Sequence, residues 1–472
     1  MKNLWVIGVL VVGLLTGCAT LSERQHVSWK DIKFPPLKKV EKPPFVKVQM
    51  ENGMTLFLME DHSLPLIGFK ALIRTGSIYE PPEKVGLADI TLETMRTGGA
   101  GEKTGDEIDN FLEGIGASIS AGVGADVASL EGLCQKKNFI SVFNIFRDLL
   151  TSPRFEEKKI QLAIIRKKSE IARRNDEISD IADREFRRLI YGYKNPYARI
   201  PEYETIENIK REDILRFYSQ SVSPEDVILG IWGDFETEEM IEIVKKTFGR
   251  WKREEGQRLE KPVVEFVQQN GSFNLIEKKD ATQSIVIMGT LGLKRDDPDY
   301  FAAVVLSRIL GAGWNSRFSR ILRGERAVAY EVWASFAGEF AYPGLFIAKA
   351  QTRADRTMET VKLMREEIER IKEGVSKEEL AIAKEGIINN EVFWSDTTEE
   401  IIKRLITYQY YNYPADYPDK LIEGVKKVTE EDIKRVAERY LSPEKLTVLV
   451  VGNPEKFDDK VPPGTNIIKL NP

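Results

Sequence analysis

The chain has 472 residues, 42% hydrophobic and 30% charged, which is ordinary for a soluble globular protein and leaves room for roughly two to four domains. Its formal net charge of −5, from 69 Lys+Arg against 74 Asp+Glu, leaves no basic excess to neutralise a phosphate backbone, so nucleic acid is excluded as a partner class. With only 2 His and 2 Cys, neither histidine catalysis nor a disulfide scaffold can organise it.

The N-terminus has the pattern of an export segment. Lys2 supplies a positive charge, Leu4 to Leu15 is almost wholly apolar, and Leu15-Thr16-Gly17-Cys18 follows. The apolar run is too short to span a bilayer well. Its last four residues resemble the lipobox of bacterial lipoproteins. That resemblance implies a signal peptide over 1–17 and a lipid on Cys18. It also implies a bacterial cell-envelope location, on the periplasmic side of the outer membrane where two membranes exist. The alternative is an uncleaved anchor with an incidental Cys18. Residues 18–45, with Pro35-Pro36 and Pro43-Pro44, read as a tether to the membrane. Lipidation of Cys18 would leave Cys134 as the one free thiol, and its apolar surroundings make it a small buried hydrophobe.

Beyond the tether, Met54 to Met59 and Leu66 to Arg74 read as strands, with His62 in the polar loop between them. A helix is expected over Gly86–Arg96 and long charged amphipathic helices over Phe155–Asn175 and Thr357–Glu373, with a further strand over Ser284–Leu291. Strands and helices without strict alternation argue for the α+β class.

Two distant stretches follow one pattern. Ile209-Lys210-Arg211-Glu212-Asp213-Ile214 leads through Ser223-Pro224-Glu225 to an apolar run ending at Gly233. Val428-Thr429-Glu430-Glu431-Asp432-Ile433 leads through Ser442-Pro443-Glu444 to one ending at Gly452. Asp213 and Asp432, Ser223 and Ser442, and Gly233 and Gly452 are each 219 residues apart. That spacing far exceeds a solenoid period and marks a duplicated domain. The halves are placed at 46–251 and 272–466, joined by a linker at 252–271.

Three carboxylates are candidates for chemistry. Asp89 and Glu93 share one face of the Gly86–Arg96 helix, and Glu170 lies on a later helix. Together they could hold a hard cation through oxygen ligands, or be paired with nearby Lys and Arg.

Gly76-Ser77-Ile78-Tyr79-Glu80 and Gly86-Leu87-Ala88 resemble the segment before the inverted zinc motif of the pitrilysin/insulinase peptidase family. The resemblance implies tandem domains of that metallopeptidase fold, each an antiparallel sheet packed with helices. In active members His-x-x-Glu-His follows, two histidines binding zinc and the glutamate activating water. Here those places hold Asp89, Leu92 and Glu93, so both histidines and the base are replaced. Glu170 matches the family's third ligand, and the accompanying glutamate is replaced by Ala163. Asn195-Pro196-Tyr197-Ala198-Arg199 is similar to the family's His-Pro-Tyr-Gly-Arg stretch, with Asn195 for the histidine. Leu310-Gly311-Ala312-Gly313-Trp314 and Leu322-Arg323-Gly324 through Tyr330 look like its C-terminal signature. By resemblance, Arg323 and Tyr330 bind the substrate backbone and steady the developing oxyanion. Ala117–Val123 matches an edge strand to which extended substrate adds.

The resemblance therefore implies a non-catalytic subunit. It would lend Arg323, Tyr330 and a chamber wall to a catalytic zinc-peptidase homologue, with peptides as substrate and zinc in the partner rather than here. Two other readings remain open: a metal-dependent endopeptidase using the carboxylates, and a structural or peptide-binding envelope lipoprotein.

Overall fold

Apolar runs of five to nine residues become strands because both of their faces find cover. A computed structural model describes residues 43–253, 258–393 and 396–471. The expected signal segment 1–17, Cys18 and all of the tether before Pro43 lie outside the described residues. In the first half run β1 (Val46–Gln49), β2 (Thr55–Glu60), β3 (Leu66–Ile73), β4 (Ser118–Val123), β5 (Ala128–Gln135) and β6 (Val227–Gly233). They form one sheet in the order β1-β2-β6-β3-β5-β4. The second half adds β7 (Phe273–Glu277), β8 (Gln283–Leu291), β9 (Leu293–Lys294), β10 (Ala329–Phe336), β11 (Gly338–Glu339), β12 (Leu345–Arg353), β13 (Thr447–Gly452) and β14 (Asn466–Ile467). Six of these form a second sheet, β10-β12-β8-β13-β7-β14, while β9 and β11 pair separately.

The duplication is written into this topology. In each sheet the late strand (β6 or β13) lies between a parallel neighbour (β2 or β7) and an antiparallel one (β3 or β8). Next come β5 and β4 in one sheet, β12 and β10 in the other, all antiparallel. The repeated Asp has one task in both copies. Asp213 accepts from the Lys210 N–H at 3.0 Å and Asp432 from the Thr429 N–H at 2.9 Å, each closing the start of a helix. Mixed sheets packed with helices make this an α+β protein with two tandem copies of one fold.

What covers the sheets explains why β6 and β13 lack polar alternation. Leu229 and Ile231 of β6 face the first half's own core with Leu92, Phe146 and Phe217. Ile228 and Trp232 point the other way, onto Ile402, Leu405 and Ile406 of the Thr398–Tyr410 helix, which belongs to the second half. The arrangement is reciprocal. The Ile178–Tyr191 helix of the first half lays Ile181, Phe186 and Ile190 on Ile285, Ile287, Leu449 and Val451 of the second sheet. Polar bonds fix both crossings: Lys349 donates to Asp183 at 2.7 Å, and Thr398 to Asp61 at 2.9 Å. Gly230 is required where the exchanged helix approaches, since a Cβ there would lie 2.4 Å from Ile402 Cγ2. The described residues from Pro43 onward therefore form one compact unit with two interlocked sheets. The segment joining them is pinned as well: Arg253 reaches the buried Asp226 at 2.6 Å and Lys261 reaches Asp126 at 2.8 Å.

Candidate functional site

The helix carrying Asp89 and Glu93 spans Leu87–Thr97 and buries Leu87, Ala88, Ile90, Leu92 and Met95. Its start is built by two residues. Gly86 sits at φ +106°, a conformation suited to glycine, and Glu80 accepts from the N–H groups of Gly86 at 3.1 Å and Ala88 at 2.7 Å. Burial pushes the Glu80 carboxyl up to about 7 against those two donors. Arg199, from the Asn-Pro-Tyr-Ala-Arg stretch, donates to the carbonyls of Ser77 and Glu80 and holds the approach to the helix.

Across from it lies the Glu157–Arg173 helix, which carries Ala163, Lys167 and Glu170. The fold brings Asp89, Glu93 and Glu170 together, but around cations of the protein itself. The Lys167 ammonium contacts both Asp89 and Glu170, the latter at 2.8 Å, and Arg166 meets Glu93 at 2.8 Å. Burial disfavours the Lys167 charge, yet the hydrogen bonds to Asp89 and Glu170 outweigh it and hold its pKa above the ordinary value. Burial likewise raises the pKa of Glu93 despite Arg166.

The zinc implied by the resemblance does not fit this set. There is no imidazole, Leu92 is 1% exposed inside the core at the base position, Ala163 is fully buried, and an ammonium bridges the carboxylates. Among the described residues no group of three or more His, Cys, Asp or Glu is arranged to hold a metal ion. His62 lies in the exposed turn after β2, its Nδ1 2.7 Å from Asp234 Oδ1. Cys134 is a free, buried thiol on β5, pushed up to about 12 by burial.

Arg323 and Tyr330 come together in the second half. Arg323 sits in a π-helical stretch, Ser319–Glu325, closed by Arg326 N–H to Ile321 O at 2.9 Å. Tyr330 occupies a bulge in the edge strand β10, where the pairing steps from Ala329–Thr352 to Glu331–Gln351. Between them Ala327 takes φ +51°. These irregularities turn both side chains outward, the Arg323 guanidinium 5.5 Å from the Tyr330 ring. The spacing of seven residues was legible in the sequence, whereas the bulge and the π turn were not. The sequence placed Trp314 in the C-terminal signature without giving it a role, and its ring lies 4.5 Å from the Arg323 guanidinium; an aromatic in a glycine-rich loop was the available signal. No hydrogen bond or ion pair links this pair to the Asp89 cluster among the described residues.

The Trp314 loop stands on a charged pair. Arg317, 8% exposed, grips Glu379 at 2.8 and 3.1 Å, and the Ser376 N–H adds a bond at 2.9 Å. Arg317 and these donors hold the Glu379 carboxyl well below its usual range, at about 2. A depressed acid contributes stability above its unfolded pKa, and that contribution is lost as pH falls through the folded value. Glu379→Gln should therefore cost about 2 kcal/mol at neutral pH, discounted for partial exposure, and almost nothing near pH 2. Urea unfolding of both proteins across that range checks it; a difference independent of pH would refute the assignment.

The candidate substrate strand is β4, at the edge of the first sheet. One of its acceptors is engaged: Arg96 of the neighbouring helix donates to the Ile119 carbonyl at 2.6 Å and to Asp109 at 2.8 Å. The equivalent edge of the second sheet is β10, which carries Tyr330.

The model of the insulinase (peptidase family M16) domain matches residues 66–194, and that of the peptidase M16 inactive domain matches 208–387. The chain is 23% identical to an uncharacterized zinc protease of Rickettsia bellii over 86% of its own length and 96% of that protein's. It is 20% identical to a Helicobacter pylori protein named non-peptidase homolog YmxG, over 84% of this chain and 91% of that one. Among solved structures, a peptidase M16 inactive domain from Pseudomonas fluorescens shares the fold at a TM-score of 0.78 and 21% identity, covering 87% of this chain and 98% of the other. With two models of this family matching 66–194 and 208–387 and the same fold in solved relatives, the chain belongs to the insulinase (M16) peptidase family.

Proposed function

We propose that the chain is a non-catalytic subunit of an M16-type zinc peptidase. It pairs with a zinc-bearing homologue and contributes Arg323, Tyr330 and one wall of a peptide chamber to that partner's site. The observation that carries this reading is the contrast between the two clusters. Asp89, Glu93 and Glu170 are paired with Lys167 and Arg166, and Leu92 supplies no base, whereas among the described residues Arg323 and Tyr330 stand exposed without a carboxylate partner. Zinc belongs in the partner. The lipobox-like Leu15–Cys18 supports anchoring at a bacterial cell envelope through Cys18.

The test is peptide cleavage by the chain alone and mixed with a zinc-motif homologue from the same organism. Only the mixture should cleave, and Arg323→Ala should lower its kcat by about a hundredfold, the usual cost of an oxyanion-stabilising donor. Tyr330→Phe should weaken it as well. Cleavage by the chain alone, stopped by a chelator, would overturn the proposal. Silence in every mixture would transfer the weight to a structural or peptide-binding role.

A further inference from the structure

Arg323 is a cation held by aromatic faces rather than by an anion. Its guanidinium lies 4.5 Å from the Trp314 ring centroid and 5.5 Å from that of Tyr330. Both rings are open to solvent, at 77% and 78% exposure. Nearby Arg317 and Arg326 are paired with Glu379 and Glu359, but among the described residues no carboxylate pairs with Arg323. Stacking uses the faces of a guanidinium and leaves its in-plane N–H donors available. A planar, bidentate acceptor is the natural complement of that edge.

The surroundings select the charge of that acceptor. Arg323 and Tyr330 line a cavity of about 270 Å³ together with Gln283, Gln351, Thr352 and Arg353, and no carboxylate faces it. Gln351 donates to the Gln283 carbonyl oxygen at 2.6 Å, so the Gln283 amide N–H groups remain as donors. Arg353 is braced by Asp355, its Nε 2.9 Å from Oδ1. The larger cavity of about 950 Å³ that Arg323 also borders sets Glu325, Glu367, Glu378 and Glu379 against Arg317, Arg320 and Arg370 in its wall, so acceptors for its cations are already at hand there. The small cavity has room for one group, not a folded segment.

We infer that Trp314, Arg323 and Tyr330 form a clamp for a peptide carboxylate, seated in the cavity between Arg323 and Arg353. The carboxylate comes either from the peptide's C-terminus or from an Asp or Glu side chain. Trp314 acts as a positioning residue, keeping the guanidinium turned toward the cavity. The inference rests on reading Arg323 and Tyr330 as peptide-binding groups, and it names the class of peptide they take: one presenting an acid.

Binding to the chain without any partner separates this inference from the proposed pairing. Three fluorescent versions of one neutral peptide serve as probes: free C-terminal acid, C-terminal amide, and the amide with one internal Glu. Anisotropy titration should find at least one acid-bearing version about tenfold tighter than the plain amide, the worth of a charge-assisted pair. Which version gains identifies the source of the carboxylate. Arg323→Gln should erase the difference. Trp314→Leu should reduce it, with Trp314→Phe restoring it. All three residues are on the surface, so these variants keep the fold. Equal affinities for the three peptides, a preference that survives Arg323→Gln, or no binding of any peptide would each overturn the clamp. A preference observed without cleavage in mixtures would leave the clamp standing and overturn only the pairing.

Discussion

Phe186→Ala is expected to lower the unfolding free energy of the whole chain by about 3–5 kcal/mol, the cost of emptying a large buried site. Ile406→Asp is expected to prevent folding altogether, because it places an unpaired charge where no solvent reaches. The reason is the exchange of helices. Phe186 is 1% exposed, yet the sheet it covers belongs to the other half of the sequence; Ile406 is fully buried against the sheet of the first half. Removing the Ile178–Tyr191 helix would bare Ile285, Ile287, Leu449 and Val451, while removing the Thr398–Tyr410 helix would bare Phe57, Met59, Leu72, Ile228 and Trp232. Each such face amounts to several side chains at about 1.5–3 kcal/mol apiece, comparable to the whole stability of an average domain. Neither half should therefore be soluble when expressed as residues 46–251 or 272–466. The full chain should unfold in urea in one transition, with far-UV circular dichroism and tryptophan fluorescence coincident, and Phe186→Ala should shift both together. Two transitions, of which Phe186→Ala moves only one, would show that the halves are independent.

That interlock marks the limit of what the residue pattern could disclose. The duplication was readable because its determinants are local. Asp213 and Asp432 close helices three residues from their own caps, and the Ser-Pro turns precede strands within the same few residues. The strands were readable because Val227–Trp232 and its copy Leu446–Val451 are apolar apart from Thr447. What lies opposite a buried face is not local. Amphipathicity in the Ile178–Tyr191 helix says that Phe186 and Ile190 are covered, not that the cover is a sheet a hundred residues away. The same holds at the degenerate motif. Asp89 and Glu93 could be placed on one helix face from spacing and Glu170 was matched through the family resemblance, and pairing with a nearby Lys or Arg was one of the two outcomes considered. That Lys167 in particular bridges Asp89 and Glu170 depends on how two helices cross. Tyr330 was identified by resemblance to the family's C-terminal signature, but its outward aim comes from a register shift that no periodicity reveals.

Writing the histidines back is expected to fail while Lys167 remains. Asp89→His with Glu93→His would restore two imidazoles beside Glu170, the three protein ligands that catalytic zinc requires. Losing Glu93 costs little, since its partner Arg166 is 61% exposed and can return to solvent. Lys167 cannot do so as easily. Its side chain is 14% exposed, and it would keep an ammonium against Glu170 where the metal must bind. At about 4 Å and an effective dielectric constant near 20, a divalent cation and an ammonium repel by roughly 8 kcal/mol, which the site can relieve only by deprotonating or displacing the lysine. The double-histidine variant should therefore bind zinc weakly, and adding Lys167→Ala should tighten it by about a hundredfold or more, with most of the residual penalty removed. Competition against a chromophoric chelator measures both affinities. Equal affinities would mean that Lys167 moves aside freely and that its bridge is incidental to the loss of the metal. Even the zinc-loaded triple variant should leave peptides intact, because Leu92 offers no carboxylate to activate water; cleavage should require Leu92→Glu as a fourth change. If the triple variant already cleaves, the water is activated by a group outside this helix, and the place assigned to the missing base is wrong.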